Sequence, residues 1–149
     1  MKRISEYKKL FNVEPATDLK QLKSTYRNLV KEWHPDKFQE GDAMGAEAEI
    51  KSQKIIDAYH FLVSIAPETK EATLEEYNLT ITESGVADYK HKGLLLEVSF
   101  SDGSTYEYFG VPKSVYAKFN NSDKKMRFGK RNIFNTYLYR QSKKALQEA

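Results

Sequence analysis

The residues of this chain best placed to do chemistry are Trp33-His34-Pro35-Asp36-Lys37, which put an imidazole, a carboxylate and an ammonium side by side. Enzymatic use of them finds little support. No His/Asp/Glu cluster has metal-ligand spacing, no glycine-rich phosphate loop is present, and His34, His60 and His91 have no evident partners in the sequence. Ser84-Gly85 and Ser101-Asp102-Gly103 are turn chemistry, not nucleophile elbows. No catalytic residue, cofactor, metal or small-molecule substrate is therefore expected, and the motif reads as a recognition element.

The element that positions it is a helix expected from about Asp18 to Glu32. Leu19, Leu22, Tyr26, Leu29, Val30 and Trp33 fall on one face at helical spacing, and Thr17 or Asp18 suits the N-cap. Proline at 35 removes a backbone donor and pushes His34 into an extended conformation, so the helix must stop there and present the imidazole from a loop. Lys20, Lys23, Arg27 and Lys31 share about a quarter of the circumference on another face. A positive stripe leads up to His34; taken alone it would be an ordinary solvated face.

A second concentration of charge lies near the far end. Lys124, Lys125, Arg127, Lys130 and Arg131 read as a basic loop interleaved with Met126 and Phe128, followed by Tyr137, Tyr139 and Arg140. Cations there could neutralise phosphates while an aromatic supports a base, as in single-stranded nucleic-acid binding. Equally, Phe128, Ile133, Tyr137 and Tyr139 could close a small barrel-like core, with the lysines keeping it soluble. Segment charges sharpen the contrast: eleven acidic and three basic residues from Gln39 to Asp88, against one acidic and ten basic from Gly110 to Lys144.

In chain order, Ile4 to Phe11 reads as a short first helix. A polar loop follows the His-Pro-Asp motif at Gln39–Asp42, and a long helix is expected from Ala43 to Ser64, with Ile55, Ala58, Tyr59 and Leu62 facing the basic helix. The two would pack antiparallel, leaving His34 at one end of the hairpin. Glu68 to Tyr77 can form one more short helix. At Leu79-Thr80-Ile81-Thr82 the pattern changes to β-formers, and the domain boundary is placed at residue 78.

Leu94, Leu96, Val98 and Phe100 alternate with polar residues in a strand, Asp102-Gly103 signals a hairpin, and Thr105 to Phe109 returns. A two-residue loop would set Tyr106 and Tyr108 on the polar face, available to a ligand. A three-residue loop with a bulge at Gly103 sets them beside Val98 and Leu96 in the core, with Glu97 opposite Glu107. The bulged register keeps the aliphatics on one face and is preferred. Pro112 opens a short helix carrying Val115, Tyr116 and Phe119, and His91 falls between two lysines in a turn.

The first half resembles the J domain of DnaJ-type co-chaperones. His34-Pro35-Asp36 matches the family's tripeptide, Tyr26-Arg27 with Leu29 its second-helix signature, Tyr7, Leu10 and Val13 its first helix and exit, and Ile55 to Leu62 its third helix; Asn12 replaces a usual glycine and Ser52 a usual aromatic. Asparagine tolerates positive φ, so the turn can survive. The resemblance implies that Lys23, Tyr26, Arg27, Lys31, His34, Pro35, Asp36 and Lys37 bind a DnaK-type heat-shock chaperone and stimulate its ATPase, the chemistry belonging to the partner.

Residues 78–141 resemble the KTSC domain, through Leu96 to Phe100, Tyr106-Glu107-Tyr108, Val111-Pro112, Ile133 and Tyr137 to Arg140. That resemblance implies RNA as a candidate ligand, for Tyr106, Tyr108, Lys124, Lys125, Arg127, Phe128, Lys130 and Arg131. The expectation is an α+β chain: a J-like antiparallel helical hairpin over 1–77, then a small antiparallel, barrel-like sheet domain with a short helix over 78–149. The expected role is co-chaperone, the second domain targeting a client or an RNA; the alternative is an RNA-binding protein whose J domain is degenerate. With no cysteine, no run of eighteen apolar residues and no apolar stretch after the basic start, a cytoplasmic protein without membrane or signal segment is expected.

Overall fold

The computed structural model describes residues 2–34 and 43–144. Pro35, Asp36, Lys37 and the polar loop Gln39–Asp42 lie outside the described residues. Contacts divide the chain into two compact units meeting in sequence at Thr69 and Lys70.

The first unit holds helices α1 (Lys2–Leu10), α2 (Leu19–Trp33) and α3 (Ala43–Ile65). Asp18 caps α2 through a capping box: its carboxylate accepts from the Gln21 amide at 2.8 Å, and the Gln21 side chain accepts from the Asp18 amide at 2.9 Å. Asn12 takes positive φ, 52°, and ends α1 in a Schellman turn: Val13 N–H bonds Lys8 C=O at 2.8 Å and Asn12 N–H bonds Lys9 C=O at 3.3 Å. The αL position is thus filled by the residue the sequence offers for it. Phe11, Leu22, Ile55, Ala58 and Leu62 form the core. Tyr26 stacks on Tyr59 at 4.2 Å while Trp33, seven residues on, receives Lys51 at 5.7 Å, so α2 and α3 run antiparallel.

Helix α4 (Pro67–Glu83) runs through residue 78, and Leu79 to Thr82 form its last turns instead of a strand. Thr80 and Ile81 are buried in the second core with Tyr77, and tertiary burial overrides β propensity there. The sequence boundary at residue 78 therefore falls inside a helix.

Four strands, β1 (Val86–Lys92), β2 (Leu95–Phe100), β3 (Thr105–Phe109) and β4 (Leu138–Lys143), form an antiparallel meander in the order β1-β2-β3-β4. The sheet is open, with β1 and β4 at its edges. Val98 pairs with Tyr106 and Leu96 with Tyr108, the bulged register, with Gly103 at φ 91°. Glu97 and Glu107 are opposed as expected, and cations answer on both sides: Lys90 reaches Glu97 at 3.6 Å, and Arg140 on β4 pairs with the buried Glu107. Helices α5 (Lys113–Asn121) and α6 (Lys125–Asn132) lie between β3 and β4 in sequence. Phe119, Ile133 and Phe134 join Leu96, Val98, Phe100, Tyr106 and Tyr108 in one core.

Candidate functional site

Lys20, Lys23, Arg27 and Lys31 are exposed along α2 and, with Ser24, Tyr26, Asn28 and Val30, line a shallow groove of about 510 Å³. Among the described residues none of the four cations makes an ion pair. Their field is therefore turned outward. Tyr26 is half-buried, its ring flat against Tyr59 (6° between planes), so it forms an apolar floor beside the exposed cations. Helix α2 ends where Pro35 requires: His34 is the C-cap, extended at φ −61° and ψ 129°, and exposed. The structure brings Lys23, Tyr26, Arg27, Lys31 and His34 onto one helix and its exit. Ser24 and Asn28, which polar helical spacing alone would not single out, complete the groove.

The second candidate set divides between core and surface. Tyr106 and Tyr108 are core residues, 3% and 0% exposed, and cannot offer a face to a base. Tyr77 donates to the Phe134 carbonyl at 2.6 Å, which leaves Tyr108 to donate to the Tyr77 oxygen at 2.9 Å. Burial raises the ionisation of Tyr77, Tyr106, Tyr108 and Tyr139 above the ordinary phenol range. Tyr139 lies flat on Tyr77 at 4.0 Å and carries Lys70 over its ring at 4.3 Å; burial draws that ammonium down to about 8.

The basic segment is helix α6, not a loop. Gly129, inside this helix, is needed for close packing, because a Cβ there would stand 2.4 Å from the Phe134 ring. Lys125 donates to the Ser122 carbonyl at 2.9 Å and Lys130 lies 3.4 Å from the Thr82 hydroxyl. Lys124, Arg127 and Arg131 remain together with Phe128, Ser122 and Asn132 around a cleft of about 310 Å³.

His91 is in strand β1, not in a turn. It stacks on Tyr116 at 4.6 Å and its Nε2 lies 2.8 Å from the Val111 carbonyl. The alternation Tyr89-Lys90-His91 was the signal for this strand, and the flanking lysines obscured it. Among the described residues no three His, Asp or Glu side chains gather to hold a metal, and no helix is long and apolar enough to cross a membrane.

Family models match the DnaJ domain over residues 6–72, which include α2 and His34, and the KTSC domain over residues 84–137. The chain carries a DnaJ domain followed by a KTSC domain. Curated relatives match over about the length of the DnaJ domain. A "Curved DNA-binding protein" of Pseudomonas syringae pv. tomato is 36% identical over 72 residues, 48% of this chain and 21% of that one. The "Co-chaperone protein HscB homolog" of Neisseria meningitidis and that of Neisseria gonorrhoeae are each 42% identical over 62 residues, 40% of this chain and 37% of theirs. The chain thus spans well under half the length of these relatives. The second half of α1, all of α2 and α3 and the start of α4 fall within the DnaJ match, with His34 near its middle; β1 to β3 fall within the KTSC match, and β4 begins one residue past it.

Proposed function

We propose that this protein is a co-chaperone of a DnaK-type heat-shock chaperone, working in the cytoplasm and not itself an enzyme. The observation that carries the reading is an exposed basic row on α2 leading to His34, at the exit of the second helix of a DnaJ domain. Lys23, Arg27 and Lys31 steer a weak, fast encounter with an acidic surface, Tyr26 supplies apolar contact, and His34-Pro35-Asp36-Lys37 reaches the ATPase. The chaperone's conformational equilibrium shifts because one of its states binds this motif more tightly. The test is the affinity of the full chain for the DnaK-type chaperone of the same cell across ionic strength. Wild type binds more weakly as salt rises, and Arg27→Glu lowers affinity at least tenfold at low salt; affinity indifferent to both salt and Arg27 would remove the reading.

The KTSC domain supplies targeting, to a client or an RNA. For RNA the specific observation is the α6 cleft, where Lys124, Arg127 and Arg131 surround the half-buried Phe128. Three phosphate contacts on a single strand give a slope of about −2 in log K against log salt. Reversing those three charges abolishes binding of single-stranded RNA at low salt; unchanged binding in that variant, or none in wild type, would exclude the cleft as an RNA site.

A further inference from the structure

Helix α4 is apolar on two sides. Tyr77, Thr80 and Ile81 face the core of the second unit. Glu71, Leu74, Glu75, Asn78, Leu79 and Thr82 recur at helical spacing on the other side and line an open groove of about 520 Å³. Leu74 is 47% exposed and Leu79 54%, two large apolar side chains in water on one stripe. Among the described residues Glu71 and Glu75 make no ion pair. Two leucines in water gain by being covered, and the carboxylates that flank them call for a basic partner surface.

The chain supplies such a surface itself. On α2, Lys20, Lys23, Arg27 and Lys31 repeat over twelve residues, beside the apolar Tyr26 and Val30. The α4 stripe from Glu71 to Thr82 covers the same number of residues, about 18 Å of helix. We propose that the outward face of α4 docks the basic α2 face of a second copy of this chain, covering Leu74 and Leu79 and placing Glu71 and Glu75 among the α2 cations. Because the two faces differ, the contact is heterologous and leaves each copy one free face. It regulates the proposed co-chaperone activity by covering the α2 face; that consequence rests on the co-chaperone reading, while the association itself does not.

The experiment is the mass of the full chain by light scattering as concentration rises, in low salt and in about 1 M salt, where the screening length is about 3 Å. Wild type grows beyond its 17.3 kDa monomer in low salt and returns to it in high salt. E71K/E75K and K23E/R27E are each monomeric alone, with wild-type helical circular dichroism. Mixed, they form a species of two chains, since one retains α2 and the other α4. A wild type that stays at 17.3 kDa at every concentration overturns the proposal, as does K23E/R27E alone associating like wild type, which would place the occupant elsewhere. With the DnaK-type chaperone added, stimulation by wild type declines at high concentration and stimulation by E71K/E75K does not. If neither stimulates, the co-chaperone reading fails and the mass result stands by itself.

Discussion

Gly129→Ala should destabilise the second core by about 2 kcal/mol, against the helix propensity that favours alanine. In an exposed helix the change gains about 1 kcal/mol. Here the new Cβ would stand 2.4, 2.6 and 2.9 Å from three atoms of the Phe134 ring, closer than carbon atoms approach. The ring has nowhere to go: Phe134 is 0% exposed, with Phe100 edge-on at 5.4 Å and Tyr108 at 5.3 Å, while its carbonyl accepts from Tyr77. Overpacking a well-filled site costs about 1–3 kcal/mol, and a wedged ring puts the cost at the upper end. The net loss lowers the urea midpoint by about 1–2 M at an m-value of about 1–2 kcal/mol/M. The assay is urea unfolding followed by near-ultraviolet circular dichroism of the core tyrosines, because Trp33 reports the other unit. In a Phe134→Leu background the same substitution should cost at most half as much. An alanine variant as stable as wild type, or an equal cost in both backgrounds, would refute the packing argument.

Three other outcomes follow from the same coordinates. Arg140→Ala removes the cation paired with the buried Glu107 opposite Glu97 and should cost about 3 kcal/mol in the same unfolding assay, with Arg140→Lys intermediate. Asn12→Gly should be near neutral, while Asn12→Val, forced to positive φ, should cost about 1–2 kcal/mol in thermal unfolding followed by Trp33 fluorescence. Tyr77, Tyr106, Tyr108 and Tyr139 ionise above the ordinary phenol value when folded, so their contribution is whole below about pH 10 and is lost above it, where only the unfolded chain sheds those protons. Stability should therefore fall steeply above that pH, with tyrosinate absorbance from these four appearing only together with unfolding.

The parts legible in the sequence were those fixed by local rules. Asp18 was one of two N-cap candidates and is the one used, Pro35 ends α2, Asn12 can take positive φ, and the face arithmetic of the hairpin chose the register that is found. The parts missed were decided by distant partners. Leu79 to Thr82 are helical because Thr80 and Ile81 meet a core assembled from strands far along the chain, and with apolar residues on both sides α4 shows little periodicity. Nothing local in the sequence marks Gly129 as a packing position, because its reason, the Phe134 ring, lies five residues on and becomes visible only in three dimensions. The α2 face was readable for the opposite reason: its cations answer to no residue within the described chain, so spacing alone locates them.

The most direct test of the central claim is single-turnover ATP hydrolysis by the DnaK-type chaperone of the same cell, with this protein added as wild type or as His34→Gln. The account predicts stimulation by wild type and none by the variant, with α2 binding retained because the basic row is intact. Equal rates with wild type, variant and buffer, in a folded sample at low salt, would contradict it.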